Sequence, residues 1–387
     1  MGRALLRTLA TFFAGTACTI ACAVQYSSEL AQATGSDAGP TPVEAGPTQE
    51  VGADAGAGLA SIPARPSDDD GTESLTFILA TSSVAIDPSR DGGPSADERS
   101  LDLDRVATCP GQPSCALPPG GNPACDGPGG RDNALLSFLR QTGFDALDER
   151  NSAQYARGES GLIFVLEDYN GGRNDRQVTL SVFFRTYTQA ALADGGPDPS
   201  GPMVLPVRDG SDYWRVLRST VANPPADDTP CTISSCRAIA RDTAAYVADG
   251  VLVGAFDLPI AVGLTAVVDL RAGHVVAKLA KEDGGVRLRD GLIVGRVRVA
   301  DFLRGFPDPF GGTGKLCDNP GALSIIKRDL CAVRDLAEDF TKDGLGAPCN
   351  ALSVAVNFEA NPARLGTLST VAAPTPRPCP DADLGCE

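Results

Sequence analysis

Residues 244–306 read AAYVADGVLVGAFDLPIAVGLTAVVDLRAGHVVAKLAKEDGGVRLRDGLIVGRVRVADFLRGF. Runs rich in Val, Leu and Ile are broken there at Asp249-Gly250, Gly263, Ala272-Gly273, Gly284-Gly285 and Asp290-Gly291. Gly and Asp-Gly supply the positive-φ positions of tight turns, so each break predicts a turn between antiparallel strands. Val267, Leu270, Val275, Ala277 and Leu279 partly alternate with polar neighbours, the pattern of strands with one buried and one wet face. A sheet of that kind needs a second layer over its apolar side. The expected fold is therefore all-β, a β-sandwich or jelly-roll-like pair of antiparallel sheets, with one or two short disulfide-tied helices.

Working outward, the period changes after Phe306. Leu323, Ile326, Leu330 and Val333 fall three to four apart and predict one face of a helix that contains Cys331. Ala351–Phe358 reads as a last strand, and 373–387 as an extended Pro/Cys tail. Upstream, Ser74–Ala80, 161–166 and 177–184 read as strands, the last two joined by a hairpin through Asn170-Gly171-Gly172. A further strand-like run begins at Asp209–Trp214. Asn133–Arg140 predicts a short helix capped by Asp132 or Asn133. Residues 73–372 are thus expected to form a single β-rich domain.

The N-terminus predicts export. Arg3 and Arg7 precede a short uncharged apolar run, Leu9–Ala21, which is too short to span a bilayer and has the form of a signal segment. It ends Thr19-Ile20-Ala21-Cys22, which resembles a bacterial lipobox, with Thr19 where that pattern has Leu. Residues 1–22 are accordingly read as a signal peptide with lipidation at Cys22, ordinary secretion being the alternative. Ala23 rather than Asp after the Cys resembles the outer-membrane sorting of Gram-negative lipoproteins. Residues 23–72 are Ala, Gly, Pro and acid, with too few apolar side chains to fold, and read as a tether with a root-mean-square span of roughly 40 Å.

Of the twelve cysteines, Cys18 and Cys22 belong to the signal and its anchor, leaving Cys109, Cys115, Cys125, Cys231, Cys236, Cys317, Cys331, Cys349, Cys379 and Cys386. An even number in an exported chain predicts disulfides. If Cys231–Cys236 and Cys379–Cys386 close locally, parity requires a bond between the segments 109–125 and 317–349. A net charge of −16 sets the chain against nucleic acid and anionic lipid headgroups as partners.

Several stretches carry a resemblance: Leu-Asp-Leu-Asp at 101–104, DGPGGRDN at 126–133, YNGGRND at 169–175, DGSDYW at 209–214, AAYVADGVLVG at 244–254, and Cys317–Phe358 with its DGLGAPCNALSVAVNF. Together they resemble a family of uncharacterised cysteine-containing secreted lipoproteins of the myxobacterial type, over roughly residues 75–370. The resemblance implies an exported envelope protein and carries no activity. The stretch around Cys115 and Cys125 is richer in Cys than the family pattern, so the resemblance implies no disulfide pairing.

Catalytic patterns are thin. His274 is the only histidine and lies among valines, so a triad, a Cys-His pair or a zinc site would each have to use it. Ser324–Lys327 matches SxxK without its usual companions, and Gly311–Lys315 is an incomplete phosphate loop. Glu159, Glu167, Asp168 and Asp175 flank one hairpin and would be the acids of a carboxylate-dependent, glycan-directed hydrolase. Calcium is the best-supported ligand class. Asp102, Asp104, Asp126, Asp132 and Asn133 crowd around Gly127, Gly129 and Gly130, and hard oxygens on bendable backbone suit that ion. Asp87, Ser89, Asp91 and Glu98 form an alternative loop with EF-hand spacing. Asx-turns and a helix cap are the structural alternative for all of these acids. The functional expectation is a non-enzymatic, outer-membrane-anchored binding or structural protein with a glycan or protein ligand, for which Tyr169, Tyr213 and Trp214 would be the aromatics.

Overall fold

The computed structural model describes residues 61–86, 99–106, 108, 115–117, 125–142, 153–225, 229–262, 266–282, 285–305, 316–344, 346–369 and 384–386. Cys22, the alternative loop of Asp87, Ser89, Asp91 and Glu98, and Cys109 and Cys379 lie outside them. The described strands are β1 (Leu75–Ala85), β2 (Gly161–Tyr169), β3 (Asp175–Gln189), β4 (Met203–Val204), β5 (Tyr213–Leu217), β6 (Ala240–Ala248), β7 (Val251–Val262), β8 (Ala266–Glu282), β9 (Gly285–Arg298), β10 (Ala351–Pro362) and β11 (Arg364–Ser369). The α-helices with described bounds are α1 (Ala134–Thr142), α2 (Val299–Gly305) and α3 (Pro320–Ala332).

The chain is mostly β, but the two-sheet expectation is corrected: β3, β2, β1, β10, β9, β8, β7 and β6 pair in that order, and β6 returns to β3. Every pairing in that circuit is antiparallel, so the eight strands close into a barrel that has no free edge. Strands consecutive around the circuit are consecutive in the chain, apart from β1 and β10, the first and last of the eight, and an excursion between β3 and β6 that carries β4 and β5.

Two of the expected turns explain the difference. Asp249-Gly250, at φ 52° and 80°, is a true turn between β6 and β7. Ala272-Gly273 and Asp290-Gly291 are not turns, because β8 and β9 run through them. There the pairing slips by a residue, and Ala272 and Asp290 adopt φ 45° and 49°. These are β-bulges, which bend and coil a strand. They also reset its faces: Leu270 and Val275 both point into the barrel, as do Leu288 and Ile293, although an odd separation would put them on opposite sides of a regular strand. The broken alternation in the sequence marked a bend within a strand rather than its end. Fewer, longer and more curved strands close on themselves instead of stacking as two sheets.

Three apolar layers result. Leu162, Phe164 and Leu166 of β2 point inward, where Phe164 stacks on Phe358 at 4.9 Å between ring centroids. Leu135, Phe138, Phe302, Ile326 and Leu330 of the three helices pack onto the same interior core, Phe138 edge-on to Phe302. An apolar interior is the reverse of the polar lumen of a transmembrane barrel. On the outside, Ile163, Val165 and Phe183 pack under Trp214, Val216, Leu365 and Leu368 of the β5–β11 layer, beside the Cys231–Cys236 disulfide. Leu292, Val294 and Ala355 on the opposite wall are covered by Leu101, Leu103 and Ile62.

Residues 61–72, read from composition as the end of a tether, lie on the wall. Arg65 sits over the Tyr246 ring, Asp69 pairs with Arg176, and Asp70 accepts from the Asn174 amide. α1 and α3 match their expected positions, and α2 ends a segment read as strand. Asn133 is the α1 cap: its Oδ1 accepts from Leu136 N at 3.3 Å.

The cross-link expected between 109–125 and 317–349 is Cys115–Cys349, with Cα atoms 5.1 Å apart. Cys386 does not close locally on Cys379; it bonds Cys331 and ties the last described residues to α3. Cys125 and Cys317 are disulfide-bonded as well.

Candidate metal centre

A group of buried polar side chains collects on the outer face of β9 and β10. Arg296 and Ser353 are cross-strand partners there, and neither reaches solvent. A buried guanidinium requires acceptors on all sides. Arg296 donates to Ala337 O at 2.8 Å, to Leu103 O at 3.0 Å and to both oxygens of Asp343. Ser353 receives Ala134 N on its hydroxyl at 2.7 Å and donates that hydroxyl to Asp335, whose other oxygen accepts from Ser353 N at 2.9 Å. The described residues of two covering segments, 99–132 and 333–350, are thereby fastened to the same patch of wall. They are also fastened to each other, through Cys115–Cys349 and the backbone bonds Ala116 N to Ala347 O and Cys349 N to Ala116 O.

Under this cover the acids meet. Leu103 N donates to Asp132 Oδ2 at 2.6 Å, Arg105 N to Asp102 Oδ1 at 2.5 Å, Val106 N to Asp104 Oδ1 at 2.8 Å, and Thr108 N to Asp126 Oδ2 at 2.5 Å. The left-handed turn at Arg105, φ 63°, coils the segment so that Asp102 and Asp104 fall on one side. One oxygen of each carboxylate is thus held by a backbone N–H, which fixes where the other points. Asp102, Asp104 and Asp132 bring one carboxylate oxygen each to within 4.8 Å of one another. Asp132 is 1% exposed, and its Oδ1 has no hydrogen-bond donor among the described residues.

The electrostatic consequences are large. Burial, and after it the charges of Asp335 and Asp104, push Asp132 up to about 10. Burial raises Asp126 to about 6 against the opposing Thr108 amide bond, with Asp104 adding to the rise. Asp335 is raised to about 7 by burial in spite of its Ser353 bonds. Among the described residues, no Lys or Arg forms an ion pair with Asp126 or Asp132. Buried carboxylates in this arrangement require protons or a cation.

Of the five residues expected to gather, Asp102, Asp104, Asp126 and Asp132 do. Asn133 is adjacent in sequence but turned to its capping role. Asp335 and Asp343 join them from more than two hundred residues away. Nothing local in the sequence marks these two, because only barrel closure brings 333–350 beside 99–132.

The other candidates are placed elsewhere. His274 lies on β8 with its pKa held down by burial. Glu159 pairs with Arg157 at 2.6 Å and Glu167 with Arg241 at 3.4 Å, while Asp175 accepts from Asn170 N and Gln177 N. These are hairpin acids with structural partners. Tyr169 and Trp214 are buried, and Tyr213 donates its hydroxyl to Gly195 O at 2.6 Å, so the three do not form a groove. An open cleft of about 490 Å³ lies beside the cover, walled by Asp257, Arg271, Glu338, Asp339, Phe340 and Lys342. Its acids are engaged: Asp257 holds Ala272 N at 2.9 Å, Glu338 pairs with Arg271 and Arg298, and Asp339 caps Thr341.

Fold and site together define a closed eight-stranded antiparallel barrel whose outer wall carries a covered, acid-lined polar centre. No protein family, curated protein or solved structure matches the chain.

Proposed function

We propose that the chain is an exported envelope protein, lipid-anchored at Cys22 and held off the outer membrane by residues 23–60, that acts by binding or by structure rather than by catalysis. The observation that carries this reading is how the carboxylates are used. The cleft acids Asp257, Glu338 and Asp339 are each engaged in a hydrogen bond or ion pair, and hydrogen bonds to Thr341 hold Asp339 below the usual carboxylate range. A glycosidase needs the opposite, one carboxyl kept protonated and facing substrate. The acids with raised pKa values sit under the cover, away from the cleft. The resemblance to secreted lipoproteins, the lipobox-like Ala21-Cys22 and the disulfides point the same way. In this reading the cleft beside Phe340 is the surface offered to a glycan or protein.

Mass spectrometry of the mature N-terminus, with fractionation of a Gram-negative host, tests the reading. Diacylglyceryl-Cys22 in the outer-membrane fraction is the expected result. A free N-terminus at another residue removes the anchor, and release of reducing ends from a polysaccharide panel establishes the hydrolase instead.

A further inference from the structure

Beyond that reading, we propose that Asp102, Asp104 and Asp132, with Asp126 beside them, bind one calcium ion that locks the 99–132 and 333–350 cover onto the barrel wall.

The geometry is that of a cation site rather than of solvated turn acids. Calcium takes oxygen ligands at about 2.3–2.6 Å, so the ligands of one ion lie within about 5 Å of each other. The three carboxylates meet that condition, with oxygens inside 4.8 Å. Turn acids of the ordinary kind satisfy themselves on neighbouring N–H groups and water. Asp132 has satisfied only Oδ2 in that way. Its Oδ1 is closed to water, has no donor among the described residues, and belongs to a side chain that converges with two other carboxylates. That orphaned, buried oxygen is what sets the site apart from a plain acidic cluster, and four backbone N–H groups, of Leu103, Arg105, Val106 and Thr108, each hold one oxygen of a different carboxylate. That orients the donors before the ion arrives, as outer hydrogen bonds do for metal ligands in general.

The donor set selects the ion. All the donors are hard oxygens, and the nearby sulfur of Cys115 is committed to Cys349, which disfavours zinc and copper. Three or four carboxylates on irregular loops suit the flexible coordination of calcium better than the strict octahedron of magnesium.

The cation would act on both covering segments. Asp102, Asp104, Asp126 and Asp132 belong to the first. The second is reached through Asp132 and Asp335, whose mutual repulsion a bound cation cancels, and through Arg296, which joins Leu103 O to Asp343. Phe340, Lys342 and the cleft they line are part of that second segment.

The test uses the mature full-length protein, with calorimetric titration of calcium chloride and thermal melting in calcium or chelator. One calcium per chain is expected, with a melting temperature higher by about 5 °C at a hundredfold excess over Kd. Asp132→Asn keeps an oxygen for Leu103 N and should abolish both the binding and the shift. Asp102→Asn, at the more exposed position, should weaken binding at least tenfold while the protein still folds. Asp257→Asn, in the cleft, should leave calcium binding unchanged. No heat of binding together with a melting curve indifferent to calcium overturns the proposal, as does loss of binding in Asp87→Asn with retention in Asp132→Asn. These outcomes leave the lipid anchor at Cys22 untouched, so the two readings fail separately.

Discussion

The Arg185 guanidinium lies over the indole of Trp214, its central carbon 3.5 Å from the ring centroid, and neither side chain is more than 2% exposed. Its Nη2 donates to Thr81 O at 2.7 Å and its Nη1 to Gly158 O at 3.4 Å. Burial pushes its pKa down, so the aromatic face and the carbonyls are what make a charge tolerable between the barrel and the β5–β11 layer. Gly161 stands where any Cβ would strike the guanidinium at 2.7 Å, so the β2 backbone is shaped around it.

Arg185 therefore fills space as much as it carries charge. Trp214→Ala should cost about 3–5 kcal/mol, because it opens a cavity and strips the cation of its aromatic face. Arg185→Met, similar in volume and uncharged, should cost under about 1.5 kcal/mol, and Arg185→Lys, which keeps the charge but loses the planar stack, about 2 kcal/mol or more. Urea midpoints decide the order. If Arg185→Met were the worst of the three, the charge itself would be the stabilising element.

The Cys115–Cys349 bond closes 234 residues and fastens the two halves of the cover, whereas Cys231–Cys236 closes 5. In the chain-entropy view the first should be worth about 5 kcal/mol and the second about 2. Paired Cys→Ser variants compared by guanidinium denaturation check this. Equal losses from the two would show that local packing, not loop closure, sets their value.

Asp301 opens α2 at the end of β9, with its side chain 3% exposed and facing Arg298 and Arg304, both at 2.5 Å. Burial alone would raise its pKa, but the two arginines outweigh burial and hold it below the usual value. With the folded pKa depressed, the stabilisation is complete above the unfolded value, about 4, and is lost as pH falls through the folded one. Asp301→Asn should cost about 2 kcal/mol at pH 7, the arginines being partly screened by water, and progressively less below pH 4. A cost that stays constant down to pH 2 would exclude the ion pairs as its source.

Gly291, at the β9 bulge, faces Phe358 of β10, and a Cβ there would lie 2.6 Å from the ring. Gly250, in the β6–β7 turn, has nothing within 4 Å but sits at φ 80°. Gly250→Ala should cost about 1 kcal/mol of backbone strain. Gly291→Ala should cost about 2–3 kcal/mol, because it displaces Phe358 from its stack on Phe164. Melting curves of the two variants compare these directly. The reverse order would mean that Phe358 moves aside freely and that the bulge is not packed around glycine.

The sequence by itself determined what depends on neighbours in the chain. Apolar runs marked most of the barrel strands, the spacing of Leu323, Ile326 and Leu330 marked α3, and Asp132-Asn133 marked a cap, which the fold assigns to Asn133. Asp102 with Asp104, and Asp126 with Asp132, are near neighbours in the chain, but the two pairs meet only through the backbone bonds Asp126 N to Thr108 O and Asp132 N to Leu101 O. Tertiary structure alone decided the rest. Ala272-Gly273 and Asp290-Gly291 carry the same residues whether a strand ends or bends, and only partners on β7, β9 and β10 decide for the bend. That choice made a barrel of what reads as two sheets. Barrel closure then brought 333–350 beside 99–132, adding Asp335, Asp343 and Arg296 to the acids and removing the cluster from water. Burial, a property of the closed fold and of no single residue, is what turns four surface-type acids into a site that demands a counter-charge.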